Sequence, residues 1–265
     1  MKKCDSKKGF TLAEVLITLG IIGVVAALTM PSIIANYQKK VISVRLKKFV
    51  STFSQAYNMA ISKYGDSTYW IDCSIKSGNA NCTEYDGSAT KKIIESLNAV
   101  DYSNNLPEMY KQKVQESKKN VGKGGLSWTK FKSWQLADGA LLFNMVDWND
   151  ANSRYLTTFD VDVNGISGPN RYGKDIFIFA QVYTMLPYSS SMQYSGGFFY
   201  SNTDLKKGLY MSGYGYFKDE PINGVNGPIK RCNADSFSVS FKYYCSYLIQ
   251  ENGWEFPDYY PWGAF

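Results

Sequence analysis

From Val15 to Gln38 the chain runs for twenty-four residues without a charge, and most of them are apolar. A helix needs about 20 such residues to cross the hydrocarbon core of a bilayer, so this run is long enough to span one. Lys2, Lys3, Lys7 and Lys8 precede it, and Lys39 and Lys40 follow it. Under the positive-inside rule the leading cluster stays cytoplasmic. One carboxylate, Glu14, stands near the head of the segment. A carboxylate at membrane depth is costly and marks a function with a partner. The plainer alternative is a signal anchor whose Glu14 reaches back to the headgroups.

An ordinary secretory signal peptide is cut at small residues after its apolar stretch. Here the distinctive junction, Lys8-Gly9-Phe10, comes before it. Residues 7–34, KKGFTLAEVLITLGIIGVVAALTMPSII, strongly resemble the class III signal of type IV prepilins and type II secretion pseudopilins. The resemblance covers about the first 50 residues closely. It implies that a membrane-bound prepilin peptidase cuts after Gly9 and N-methylates the new first residue, Phe10. It also implies that Glu14, one helical turn on, neutralises the terminal amine of a neighbouring subunit within a bundle of packed helices; the spacing only permits this. Two buried charges that meet in a low-dielectric bundle satisfy each other. Pro31 removes a backbone donor and crowds the carbonyl of Ala27. The resemblance makes it an assembly hinge, and a passive kink accounts for it equally well.

The helical pattern continues beyond the span. In residues 39–63, Ile42, Leu46, Phe49, Phe53, Ala56 and Ala60 recur at intervals of four and three, which is one face of an amphipathic helix. Gly65 is placed as its C-terminal cap. From Phe10 to Lys63 such a helix would be about 80 Å long. Residues 66–88 read as a loop, 89–100 as a short helix, and the lysine-rich 101–127 as an exposed loop. From Trp128 onward the composition is β-like, with candidate strands at 128–134, 139–147, 155–162 and 175–182. Asp138-Gly139 and Asn164-Gly165 are turn signals. The division is therefore a leader at 1–9, a transmembrane and assembly helix at 10–38, its amphipathic continuation at 39–65, and a globular α+β domain at 66–265. The expected fold is the pilin-like one: a long N-terminal helix on an antiparallel β-sheet, with a disulfide-stapled C-terminal region.

The chain has five cysteines and no histidine. The lack of histidine removes Ser-His-Asp and Cys-His catalysis and imidazole metal ligation. Cys4 lies in the basic leader, and the other four form two close pairs, Cys73/Cys82 and Cys232/Cys245. Neither pair has C-x-x-C spacing. In an exported protein proximity favours disulfides within each pair, although four cysteines allow three pairings and a cytosolic protein would keep them as buried thiols. Many pilins staple their C-terminal region with a disulfide loop, the position Cys232 and Cys245 occupy.

Asp160-Val-Asp162-Val-Asn164-Gly165 matches the opening of a calcium loop. The bidentate Glu an EF-hand needs at its twelfth position is replaced by Arg171, and the flanks read as strands. Asp160, Asp162, Asn164 and Asp175 form the candidate ligand set for a structural Ca²⁺, which the resemblance to pseudopilins favours. The competing reading is an Asx-rich hairpin turn whose side chains bond their own backbone.

The resemblance implies a structural subunit of a type IV pilus or type II secretion pseudopilus that polymerises through its N-terminal helix. Its partners would be the prepilin peptidase, other pilin or pseudopilin subunits, the inner-membrane assembly platform, and the lipid bilayer before assembly. It would pass once through the bacterial inner membrane, with the globular domain outside the cytoplasm, and then enter the filament. No nucleophile, base and orienting group assemble in the pattern, so an enzyme is not expected. The alternative is a minor pilin whose Tyr- and Trp-rich surface binds a host surface, glycan or DNA by stacking. Net charge is +6, and the leader carries half of it, which argues against nucleic acid.

Overall fold

The computed structural model describes residues 10–70, 81–82, 88–120, 132–149, 155–184, 206–211 and 245–264. The chain divides into two compact units, one ending at Lys39 and one beginning at Lys40. Helix α1, Leu12–Tyr64, belongs to both.

In the first unit α1 is apolar and its side chains are exposed, Leu16, Ile21, Val24 and Leu28 among them. By length and composition it can cross a membrane. Its hydroxyls bond back to the helix: Thr18 Oγ1 donates to the Glu14 carbonyl, and Thr29 Oγ1 to the Val25 carbonyl, each at 2.9 Å. A polar side chain without water needs such an internal acceptor. Pro31 lies inside the helix.

In the second unit α1 buries Ile42, Leu46, Phe49, Phe53, Ala56 and Ala60, the six positions read from the periodicity. The helix stops at Tyr64, and Gly65, at φ +80°, donates its N–H to the Ile61 carbonyl at 2.9 Å. A left-handed residue at this position favours glycine.

The remaining elements are β1 (Asn81–Cys82), α2 (Ser88–Leu97), β2 (Val100–Asp101), α3 (Glu108–Asn120), β3 (Ser133–Gln135), β4 (Leu141–Asn149), β5 (Tyr155–Asp162), β6 (Ile176–Val182), β7 (Gly208–Met211) and α4 (Tyr247–Glu251). Among the described residues the sheet has seven strands in the order β2-β3-β4-β5-β6-β7, with β1 also on β4. Every strand pairing is antiparallel. This is the expected α+β architecture, a long N-terminal helix packed on an antiparallel sheet.

Alternation along β5 and β6 sends residues to opposite faces. On one face Phe159 stacks on Phe53 at 5.0 Å and on Phe179 at 5.7 Å, and Phe49 meets Phe179 at 5.4 Å. Burying each phenyl ring contributes about 1.5–3 kcal/mol, and such ring pairs add about 0.5–1.5 kcal/mol. The C-terminal segment extends this layer, with Trp254 on Phe179 and Phe256 on Phe177. Beyond it, the Gln250 side chain accepts from the Met211 N–H at 2.7 Å and donates to the Leu209 carbonyl at 3.1 Å. One amide thereby bonds a donor and an acceptor of the β7 backbone, as a paired strand would.

On the other face lie Asp160 and Asp162, cross-strand from Ile178 and Ile176. Helix α3 reaches this side through Tyr110, whose hydroxyl donates to Asp162 Oδ2 at 3.1 Å. This corrects the loop expected over 101–127. Glu108–Asn120 is helical, entered just after Pro107, with Tyr110, Val114 and Ser117 buried. Proline before the first turn gives up no needed hydrogen bond. The short helix expected over 89–100 is α2, which ends at Leu97 because Asn98 takes φ +49°. The strands expected at 139–147, 155–162 and 175–182 are β4, β5 and β6 to within two residues. Of the first candidate strand, 128–134, residues 128–131 lie outside the described residues, and Ser133 and Trp134 belong to β3.

Candidate functional site

The first site is the N-terminus of α1. Gly9 lies outside the described residues, and Phe10 is 89% exposed. Thr11 precedes the helix and Glu14 is its third residue. The Glu14 N–H donates to Thr11 Oγ1 at 3.3 Å, and the Thr11 N–H donates to Glu14 Oε2 at 2.8 Å. The Thr11 hydroxyl also donates to Glu14 Oε2 at 2.9 Å. This reciprocal pair is a capping box, which satisfies two otherwise orphaned helix donors. The carboxylate of Glu14 is thus fixed beside residues 10 and 11, where a cut after Gly9 would create a new amine. The sequence reading passed over Thr11, although T-x-x-E ahead of an apolar run is its signature.

The second set is the group of acids read as calcium ligands. Asp160, Asp162 and Asp175 are fully buried. Asp160 Oδ2 accepts from the Tyr172 hydroxyl at 2.6 Å and from Asn144 Nδ2 at 3.2 Å. Asp162 Oδ1 accepts from the Asn164 N–H at 3.2 Å, closing an Asx turn. Asp175 takes the Asn170 N–H on Oδ2 at 2.7 Å and the Arg171 N–H on Oδ1 at 2.6 Å. Asn164 Nδ2 donates to the Gly168 carbonyl at 3.0 Å. Among the described residues no three acidic side chains converge closely enough to hold a metal ion. The expectation of calcium on Asp160, Asp162, Asn164 and Asp175 goes forward as a proposal, beside the turn that these contacts form. These side chains organise a turn, in which Asp160 Oδ2, Asp162 and Asp175 take tyrosine hydroxyls, an asparagine amide and backbone N–H groups. Gly165 completes the turn at φ +66°, where an added Cβ would lie 2.2 Å from the Gly139 carbonyl oxygen.

Burial raises the Asp162 carboxyl well above its ordinary range, and neighbouring Asp175 pushes it further. Burial also moves Asp175 up to about 6, against the pull of the Arg171 and Asn170 N–H donors. Burial, with the charge of Asp162 beside it, lifts the Tyr110 hydroxyl. A carboxyl raised in the folded state costs nothing while both states are protonated. It costs stability once the unfolded chain ionises first. For Asp175 that cost enters from about pH 4 and is complete above about pH 6, on the order of 3 kcal/mol. The melting temperature is expected to fall as pH rises through this window, and Asp162→Asn should flatten the fall. A melting temperature that climbs steadily from pH 4.5 to 7.5, equally in both proteins, would contradict this assignment.

A fourth buried carboxylate, Asp147 on β4, accepts from the Thr90 N–H at 3.2 Å and hydroxyl at 2.8 Å, and from the Thr157 hydroxyl at 2.5 Å. Burial raises it as well. It ties the start of α2 to the sheet. No spacing in the sequence links residues 90, 147 and 157, so this anchor had no sequence signal.

Cys245 is buried, the Cys82 backbone belongs to β1, and the Cys82 side chain together with Cys73 and Cys232 lies outside the described residues. The described residues contain both partners of neither expected cysteine pair, and the pairings go forward as proposals. The Tyr- and Gly-rich stretch 187–230, on which a surface-binding reading would rest, is described only at residues 206–211.

Two families match the chain. A prokaryotic N-terminal methylation motif covers residues 4–30. A family of unknown function, DUF6613, covers residues 32–263. No curated protein and no solved structure matches.

Proposed function

Because the chain belongs to the DUF6613 family and carries the prokaryotic N-terminal methylation motif ahead of a pilin-like fold, we propose that it is a structural subunit of a type IV pilus or a secretion pseudopilus. The methylation motif carries this reading, since it implies a processing peptidase and assembly with other pilin subunits. The peptidase cuts after Gly9 and methylates Phe10. The apolar half of α1 anchors the subunit in the inner membrane, with residues 66–265 outside the cytoplasm. An assembly platform then transfers the helix from lipid into a bundle of like helices. Burial of exposed Leu16, Ile21, Val24 and Leu28 against neighbours drives the packing. Pro31 leaves the Ala27 carbonyl without its helical donor, so the turn around it is the easiest to loosen. Disulfides Cys73–Cys82 and Cys232–Cys245 staple two loops of the exported domain.

The test is the mature N-terminus. Intact mass and N-terminal sequencing of protein extracted from native membranes or filaments should show a chain that begins at a monomethylated Phe10. A chain that begins at Met1, or at any residue beyond Gln38, would overturn the proposal.

A further inference from the structure

Beyond the apolar run, the outward face of α1 carries cations and no acids. From Val15 to Gly65 the chain has no Asp or Glu, while Lys39, Lys40, Arg45, Lys47 and Lys48 fall within ten residues after Gln38. Within the second unit the fold accounts for two of them. Lys47 bonds Glu255 at 2.5 Å, and Lys48 lies 3.3 Å from Asp138. Lys40 and Arg45 are exposed, Lys40 opposite the buried stripe of Ile42, Leu46 and Phe49 and Arg45 beside it. Glu255 feels Lys40 too, yet Lys47 bonds it directly and dominates its downward shift.

Membrane topology does not explain these cations. Positive charge favours the cytoplasmic end of a span, and the leader already supplies it there. A second cluster at the far end opposes that orientation and so needs another use. Its position suggests one. Lys40 and Arg45 follow the run by two and seven residues, about 3 and 10 Å of helical rise. The headgroup layer is about 5–8 Å deep, within reach of long side chains.

We infer that Lys40 and Arg45 form a basic collar that binds the phosphate headgroups of anionic phospholipid while the chain is membrane-anchored. The inference rests on the membrane-spanning reading of α1. Bound headgroups neutralise a face that would otherwise present cations alone. Entry into a filament then requires that this lipid be exchanged or released.

The experiment uses the full processed chain. It is first floated with neutral phosphatidylcholine vesicles, and then titrated in detergent with phosphatidylglycerol or phosphatidylcholine while bound lipid is counted by native mass spectrometry. Each cation near an anionic surface counts for about fivefold in affinity, so the pair should give roughly a 25-fold preference for phosphatidylglycerol at low salt. Lys40→Gln with Arg45→Gln should remove most of it, and Lys63→Gln, at the far end of the helix, should not. Equal binding of both lipids, or a preference unchanged in the double variant, overturns the collar and leaves the membrane anchor standing. Failure to float with neutral vesicles overturns the anchor itself. If the double variant loses filament incorporation but keeps its lipid preference, the cations serve a second copy of the chain and the collar is wrong.

Discussion

Replacing Gly9 with alanine is expected to leave the leader on the chain almost completely, with full-length protein accumulating in the membrane. The proposed cut falls between Gly9 and Phe10, in the Lys-Lys-Gly-Phe run ahead of the apolar segment. A peptidase that reads this junction must bring the peptide bond against its catalytic groups, and glycine lets backbone approach closely because it has no Cβ. One added methyl at that point blocks the approach. The retained leader would carry four lysines and one aspartate into the place where helices bundle, and the amine at Phe10 would never form. Intact mass of membrane extracts reads the result directly. The globular unit begins at Lys40, so its melting temperature should stay at the wild-type value. That separates a processing defect from misfolding. Normal trimming at Phe10 in the variant would show that the peptidase does not read Gly9, and the signal would lose its physical basis.

How far the molecule was legible depended on whether a feature is periodic in one dimension. The inner stripe of α1 could be read because Ile42, Leu46, Phe49, Phe53, Ala56 and Ala60 repeat at helical spacing, and burial follows that repeat. The central strands could be read because β5 and β6 are short runs of β-branched and aromatic residues between turn signals. Helix α3 could not. Its sequence, EMYKQKVQESKKN, shows few apolar positions, and lysines dominate it. What holds it is Tyr110 and Ser117 bonding to residues 50 or more positions away, Asp162 and Tyr172. Long-range polar contacts of that kind leave no local pattern. The same is true of Asp147, whose partners lie on a different helix and a different strand. The acids of 160–175 were legible as a cluster, but their chemistry was not. Alternating carboxylates before a glycine suit a cation and an Asx turn equally, and only the direction of the oxygens separates the two. At the N-terminus the motif was legible, while the role of Thr11 needed the geometry of its bonds to Glu14.

Those bonds give Glu14 two roles, and a set of three substitutions separates them. As a helix residue it closes the capping box of the first turn, where loss of an N-cap side chain such as Thr11 costs about 0.5–2 kcal/mol. As a charge in an assembled bundle it would meet the amine of Phe10 on a neighbouring subunit. An uncompensated ion in a low-dielectric bundle costs several kcal/mol, and removal of one partner of a buried pair typically costs 3–5 kcal/mol. The second effect is therefore the larger, and it appears only on assembly. Glu14→Ala removes both roles. It is expected to leave cleavage at Gly9 largely intact and to cut filament incorporation by well over tenfold. Glu14→Gln keeps an oxygen that can accept from the Thr11 N–H and so preserves the cap, but it carries no charge; it should fail to assemble about as badly as the alanine variant. Thr11→Val removes the hydroxyl half of the cap and keeps the carboxylate, and it should assemble with only a modest deficit. Sheared filament yield, measured against the amount of processed subunit in the membrane, checks all three. If Glu14→Gln assembles like wild type while Thr11→Val does not, the carboxylate matters as a cap, and the subunits must neutralise their terminal amines with some other group.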